Sequence, residues 1–151
     1  MNPVGTGGVP GVPSAASAAS AASAASAGSA AEVVEVSLHE IAHGRAGDKG
    51  NRLNVSVIGY SPAAWPFILE QVTADKVHEL FRHRGATRVV RHVVENLQAL
   101  NFVIDDALEG GVNSGLNLDT HGKSNSYRVL GLPVTLPAAL LAAIRQARSA
   151  P

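Results

Sequence analysis

Leu53-Asn54-Val55-Ser56-Val57-Ile58-Gly59-Tyr60 sets apolar Leu53, Val55 and Val57 alternately with polar Asn54 and Ser56. An alternation of two is the signature of a β-strand, and Ser61-Pro62 stops it. Upstream, Val34, Val36 and Leu38 alternate in the same way and predict a strand running toward the glycine-rich stretch between them. Downstream, Trp65 to Val72 predicts a short helix with Pro66 in its first turn. Thr73 reads as the N-cap of a second helix carrying Val77, Leu80 and Phe81 on one face, with Gly85 as its C-cap glycine.

Thr87 to Glu95 is β-branched and predicts a core strand. From Asn96, a candidate N-cap, Leu97, Leu100, Ile104, Ala107 and Leu108 keep helical spacing until Gly110-Gly111, although Phe102 and Val103 fit a strand equally well. Leu116 to Asp119 predicts a short strand, His121-Gly122-Lys123 a turn and Ser124 to Leu130 a short helix. Leu132 to Leu136 suits an edge strand, because Pro133 and Pro137 forbid a central one. Pro137 to Ala147 predicts a last helix. Strands interleaved with helices in so short a chain predict an α+β sandwich with helices on one face of a mostly antiparallel sheet.

Before this folded part, Ser14 to Ala31 repeats Ser-Ala-Ala almost unbroken. A period of three matches neither helix nor strand and can bury no face, so residues 1–31 are expected to be a disordered tail. Of 151 residues, 12 are basic and 12 acidic, which argues against a nucleic-acid partner. The absence of cysteine excludes disulfides and thiolate chemistry. No apolar run approaches the roughly 20 residues of a membrane span, and the N-terminus lacks the features of a secretory signal. A cytoplasmic protein with no membrane partner is the expectation, and no cofactor or metal is implied.

Chemistry concentrates in His43-Gly44-Arg45-Ala46-Gly47-Asp48-Lys49-Gly50-Asn51. His39-Glu40-Ile41-Ala42-His43 imitates a zinc-protease motif, but Gly44, Gly47 and Gly50 leave no room for the rigid helix that motif requires. Lys49 is followed by Gly50-Asn51 rather than a hydroxyl residue, so the run is not a phosphate loop of the Walker type; the glycine spacing is not that of a dinucleotide fold. The run is expected to form an anion-friendly loop between two strands. Arg45 can grip a carboxylate or phosphate bidentately, while Lys49 and the amides around Gly47 and Gly50 hold the other end. Asp48 can serve as a base or orient Lys49 or Arg45, and His43 beside the loop is the candidate for proton transfer. Alternatively the run is a tight turn whose Asp48 and Asn51 satisfy backbone donors. His92 lies in an apolar strand and reads as a packed histidine; Asn96 and Asn101 either line the same cleft or decorate a helix. The basic group Arg82, His83, Arg84, Arg88 and Arg91 is most simply a solvated helix end, with binding of a CoA phosphate as the sharper alternative.

Ala42-His43-Gly44-Arg45-Ala46-Gly47-Asp48-Lys49-Gly50-Asn51, followed by the strand Asn54-Val55-Ser56-Val57-Ile58, resembles the AtuA-like ferredoxin-fold domain. Two more segments agree with it: Glu95-Asn96-Leu97-Gln98-Ala99-Leu100-Asn101-Phe102-Val103, and Gly110-Gly111-Val112 through Leu116-Asn117-Leu118-Asp119 to Gly122-Lys123. The resemblance covers about residues 36–135. It implies a ferredoxin-like sandwich of βαββαβ type over residues 32–136, with 137–151 as a helical extension that inherits no role. It also implies kinship with a domain that ends acyclic terpene utilisation proteins or stands as a small companion chain, in pathways that handle acyl-CoA thioesters.

The expected site is therefore His43, Asp48 and Lys49 as catalytic groups, with Arg45, Gly47, Gly50, Asn51, Asn54 and Asn101 binding the substrate. Two functions remain open. One is a small subunit or accessory domain doing hydratase- or lyase-like chemistry on a branched or terpenoid acyl-CoA, or another anionic small molecule. The other is a non-catalytic module that docks on a larger AtuA-type chain or on itself, since open sheets leave strand edges unpaired.

Overall fold

A hairpin with a two-residue turn anchors the sheet. In the computed structural model, which describes residues 32–149, the run expected to be a loop is itself a strand. The first strand, β1, is Val33–Ser37, and the second, β2, is Ala42–Lys49; β3 follows at Arg52–Gly59. Only Gly50 and Asn51 turn the chain, and Gly50 takes φ +61 at the first turn position, where primed hairpin turns accept glycine. Gly44 and Gly47 form no loop. They lie in extended backbone, and Gly44 is required for another reason: a Cβ there would meet the Ser56 carbonyl oxygen at 3.0 Å and Leu130 at 3.4 Å.

After β3 come the helices α1 (Trp65–Gln71) and α2 (Ala74–Phe81). Pro66 sits in the first turn of α1, and the Thr73 hydroxyl caps α2 by accepting from the Lys76 N–H. Gly85, at φ +88, releases the chain into β4 (Arg88–Val94). The segment expected to be a helix from Asn96 to Leu108 is a second correction: it is a short 3-10 turn at Glu95–Leu97 followed by strand β5 (Ala99–Asp105). Gln98 takes φ +50, which ends any helix started at Asn96, and Asn96 itself is exposed and caps nothing. From there Leu100, Phe102 and Ile104 point inward and Asn101 and Val103 outward, so the alternation of two outweighs the helical spacing. The expected strand Leu116–Asp119 is not formed either. Leu116 and Leu118 stand fully exposed in a turn-rich segment, and Asp119 instead receives the Lys123 and Ser124 amides that open α3 (Asn125–Leu130). The chain closes with β6 (Pro133–Pro137) and α4 (Ala138–Ser149).

Four strands form one antiparallel sheet in the order β2-β3-β5-β4, and β1 pairs with β6 in a separate two-stranded ribbon. Because β3 and β4 both run antiparallel to β5, they are parallel to each other and joined through α1 and α2. That split unit is the heart of a ferredoxin-like sandwich. The place beside β3 is filled by β2, which precedes it in the chain, while the last strand leaves to pair with β1. One face of the sheet, bearing Leu53, Val55, Val57, Leu100, Phe102 and Ile104, packs on Ile68, Val77, Phe81 and Val129 of the helices. Leu141 and Ile144 of α4 join the same core. None of the core cluster comes from the other face. The expected tail, residues 1–31, lies outside the described residues.

Candidate functional site

Directly paired residues of an antiparallel sheet share a face, so the register assigns every side chain of the site to one side or the other. His43, Arg45, Gly47 and Lys49 of β2 lie opposite Ile58, Ser56, Asn54 and Arg52 of β3, on the face the helices leave bare. Continuing across β5 and β4, Ser56 meets Asn101 and then His92, while Asn54 meets Val103 and then Val90. At the end near the turn, Asp105 lies opposite Arg88. The bare face is thus a polar row, Arg45-Ser56-Asn101-His92, beside a cationic end made by Lys49, Arg52 and Arg88.

Its centre is organised by hydrogen bonds. The Asn101 Oδ1 accepts from Asn54 Nδ2 at 2.9 Å and from Ser56 Oγ at 3.0 Å. With its oxygen so engaged, the amide nitrogen of Asn101 keeps both hydrogens for a ligand. Arg52 Nε donates to Asp105 Oδ1 at 2.5 Å, and Asp106 is taken up by Asn51 and by the Thr87 hydroxyl. Arg45 and Lys49 form no ion pair among the described residues. A depression of about 320 Å³ opens at Gly47, Asp48, Lys49, Arg52, Asn54 and Val103, where the missing side chain of Gly47 leaves space above the strand. A second of about 450 Å³ adjoins it, where Lys49, Arg52 and Arg88 face Asp105 and Asp106.

The structure separates the three residues expected to act on the proton. Asp48 is on the helix side, where its carboxylate accepts from Lys123 Nζ at 2.5 Å and pairs with His121 Nδ1 at 3.3 Å. The Lys123 ammonium, helped by His121, holds its carboxyl below the usual aspartate range. Asp48 therefore orients neither Lys49 nor Arg45. His43 shares the bare face with Lys49, but six positions of extended strand put their Cα atoms about 20 Å apart. Its ring stacks on Tyr60 at 5.4 Å, and the Arg148 guanidinium lies 4.1 Å over the same tyrosine.

Asn51 holds the backbone rather than a ligand. Its Oδ1 accepts from the Leu108 and Gly110 amides and its Nδ2 donates to Asp106, which fastens the β2–β3 turn to the segment after β5. Gly50 serves the turn. Of the expected residues, Arg45, Gly47, Lys49, Asn54 and Asn101 share the bare face, and Gly47, Lys49 and Asn54 line one depression on it. Ser56 and Arg52, which are not among the expected residues, also belong to this face, as does Arg88 of the basic group. The signal for the first two was present, since Arg52, Asn54 and Ser56 are the polar positions of the strand whose apolar positions were read as core.

The remaining motifs resolve without a site. His39 and Glu40 lie in one 3-10 turn and His43 on a strand, so the two histidines share no helix; Glu40 instead holds Arg145 at 3.0 Å. Arg82, His83 and Arg84 do form the solvent-facing turn that ends α2, while several cations of the basic group are paired. Arg82 pairs with Glu79, Arg84 with Glu109 and Asn125, and Arg91 donates to the Leu69 carbonyl at the end of α1. No group of three metal-ligating side chains occurs among the described residues, and none of their helices is long and apolar enough to cross a membrane.

Neither the curated proteins nor the solved structures compared with the chain give a match. The model of the AtuA ferredoxin-like domain matches residues 36–135, about two thirds of the sequence. That span runs from within β1 to within β6 and takes in the whole four-stranded sheet. The chain belongs to the AtuA ferredoxin-like domain family.

Proposed function

We propose that this chain is an accessory domain of a larger acyclic-terpene-utilisation-type enzyme, and that its bare sheet face holds the anionic part of an acyl-CoA thioester. One observation carries the reading: the face sets Arg45 in the row of the outward amide of Asn101 and gathers Lys49, Arg52 and Arg88 two pairs further along, with Asp105 as the one carboxylate among the paired positions of that face. Phosphate or carboxylate oxygens supply the acceptors that Arg45 and Lys49 lack among the described residues, while Arg52 already pairs with Asp105. The arrangement favours binding over proton transfer, because Asp48 faces away and His43 is out of reach of Lys49. Cytoplasmic residence, alongside such thioesters, is part of the same proposal.

The test is co-purification with the larger chain and steady-state assay of the complex on branched enoyl-CoA thioesters. Arg45→Ala and Lys49→Ala are expected to raise KM with kcat nearly kept, as loss of uniform binding does. A collapse of kcat at unchanged KM would show instead that these residues take part in the chemical step.

A further inference from the structure

We propose that the outer edge of β2 takes up an extended, acidic segment of a partner protein as a fifth strand of the sheet. The phase of the hairpin determines which backbone groups are free. Lys49 and Arg52 flank a two-residue turn and so exchange both hydrogen bonds, after which bonded and non-bonded pairs alternate along the ladder. The bond from the Tyr60 N–H to the Ile41 carbonyl, 2.9 Å, keeps the same phase at the far end. Gly44, Ala46 and Asp48 therefore turn their N–H and C=O groups away from β3, and among the described residues these groups have no hydrogen-bond partner.

Sheets commonly protect such an edge with charged side chains, proline, a bulge or a covering element. Here β2 has no proline and pairs without interruption from Ala42 to Lys49; the charges it carries on the bare face, Arg45 and Lys49, repel a like-charged strand and admit an acidic one. Beside it runs a groove of about 450 Å³ between Gly44–Gly47 on the strand and Lys123, Ser126 and Tyr127 on the helix side. A groove between a strand edge and a helix is the geometry of strand addition, in which main-chain bonds supply affinity and alternate side chains supply specificity.

The walls select the occupant. A strand laid on β2 turns alternate side chains toward the bare face, beside Arg45 and Lys49, and the others toward α3, beside Ser126, the Lys123 stem whose ammonium is held by Asp48, and Tyr127, which is 76% exposed. Acidic residues suit the first set and apolar residues the second. A second copy of β2 suits neither. Face-matched antiparallel self-pairing about Ala46 sets His43 against Lys49, and pairing about Gly47 sets Arg45 against Lys49. The inference rests on the accessory reading only for who supplies the segment; the edge and its charge stand without it.

The experiment titrates the ¹⁵N-labelled full chain with a blocked hexapeptide of alternating glutamate and valine. The same peptide N-methylated on alternate amides, and an alternating lysine–valine peptide, are the comparisons. The glutamate–valine peptide is expected to shift the Gly44, Ala46 and Asp48 amides and slow their hydrogen exchange, while the other two do not. Ala46→Pro removes an outward N–H without touching the β3 ladder and is expected to weaken binding about tenfold. Arg45→Glu, which does not depend on how the strand tolerates proline, is expected to reverse the preference toward the lysine peptide. Equal binding by the N-methylated peptide, or unmoved edge amides at millimolar peptide, overturns the proposal. So does concentration-dependent protection of these amides without peptide, which would make a second copy the occupant. Because Ala46→Pro leaves the bare face intact, loss of peptide binding with retained coenzyme A binding separates this proposal from the one above.

Discussion

At the scale of single residues, Asn51 and Lys49 are near neighbours with opposite duties. Asn51 satisfies two backbone amides and an aspartate with one side chain, whereas Lys49 stands exposed with no ion pair among the described residues. Asn51→Ala is expected to destabilise the fold by about 1–3 kcal/mol, because Leu108 and Gly110 lose their acceptor. Lys49→Ala is expected to stay within about 0.5 kcal/mol in the same urea titration. Asp48 gives a prediction in pH. Lys123 lowers its folded pKa below the unfolded value, so its stabilising contribution is present above the unfolded pKa of about 4 and is lost as pH falls through the folded value. The urea midpoint of the parent chain is expected to fall over that acid range, and that of Asp48→Asn to fall less. Parallel curves would mean that the Lys123 contact does not persist in solution.

The elements show what could be read in advance and what could not. The strand at β3 and the caps at Thr73 and Gly85 were legible because each is determined by local chemistry: alternation, a hydroxyl acceptor, a left-handed position. β5 was not, since Leu97, Leu100, Ile104 and Leu108 satisfy a helical spacing as well as Leu100, Phe102 and Ile104 satisfy an alternation of two. The slot between β3 and β4 decided it, and that slot is invisible to any local pattern. The candidate site shared this fate. Arg45, Gly47, Asn54 and Asn101 share a face because the glycine run is a strand, and a loop at that place assigns Asp48 and His43 to no side or end. Phe102 separates the two readings in solution. A helix packed through Leu100 and Ile104 would leave Phe102 outside, whereas the strand buries it completely. Phe102→Ala is expected to cost about 3–5 kcal/mol and Val103→Ala much less, by chemical denaturation. Equal, small costs would contradict the strand.

For the whole molecule, the helical face and the bare face divide the labour. The first spends its apolar side chains on one core that extends beyond the matched span, because α4 adds Leu141 and Ile144 and ties Arg145 to Glu40. Deleting residues 138–151 is expected to lower stability by several kcal/mol, at about 1.5–3 kcal/mol for each buried aliphatic side chain. The second face leaves its cations free of the core and available to a ligand. Its occupancy can be read without a partner chain or a turnover assay, by titrating the ¹⁵N-labelled chain with coenzyme A at low and high salt. The account predicts amide shifts along Lys49, Arg52, Asn54 and Asn101 that weaken as salt rises, with the Asp48–Lys123 side unmoved. Shifts centred on His43 and Tyr60, or none on the bare face at millimolar coenzyme A, would contradict it.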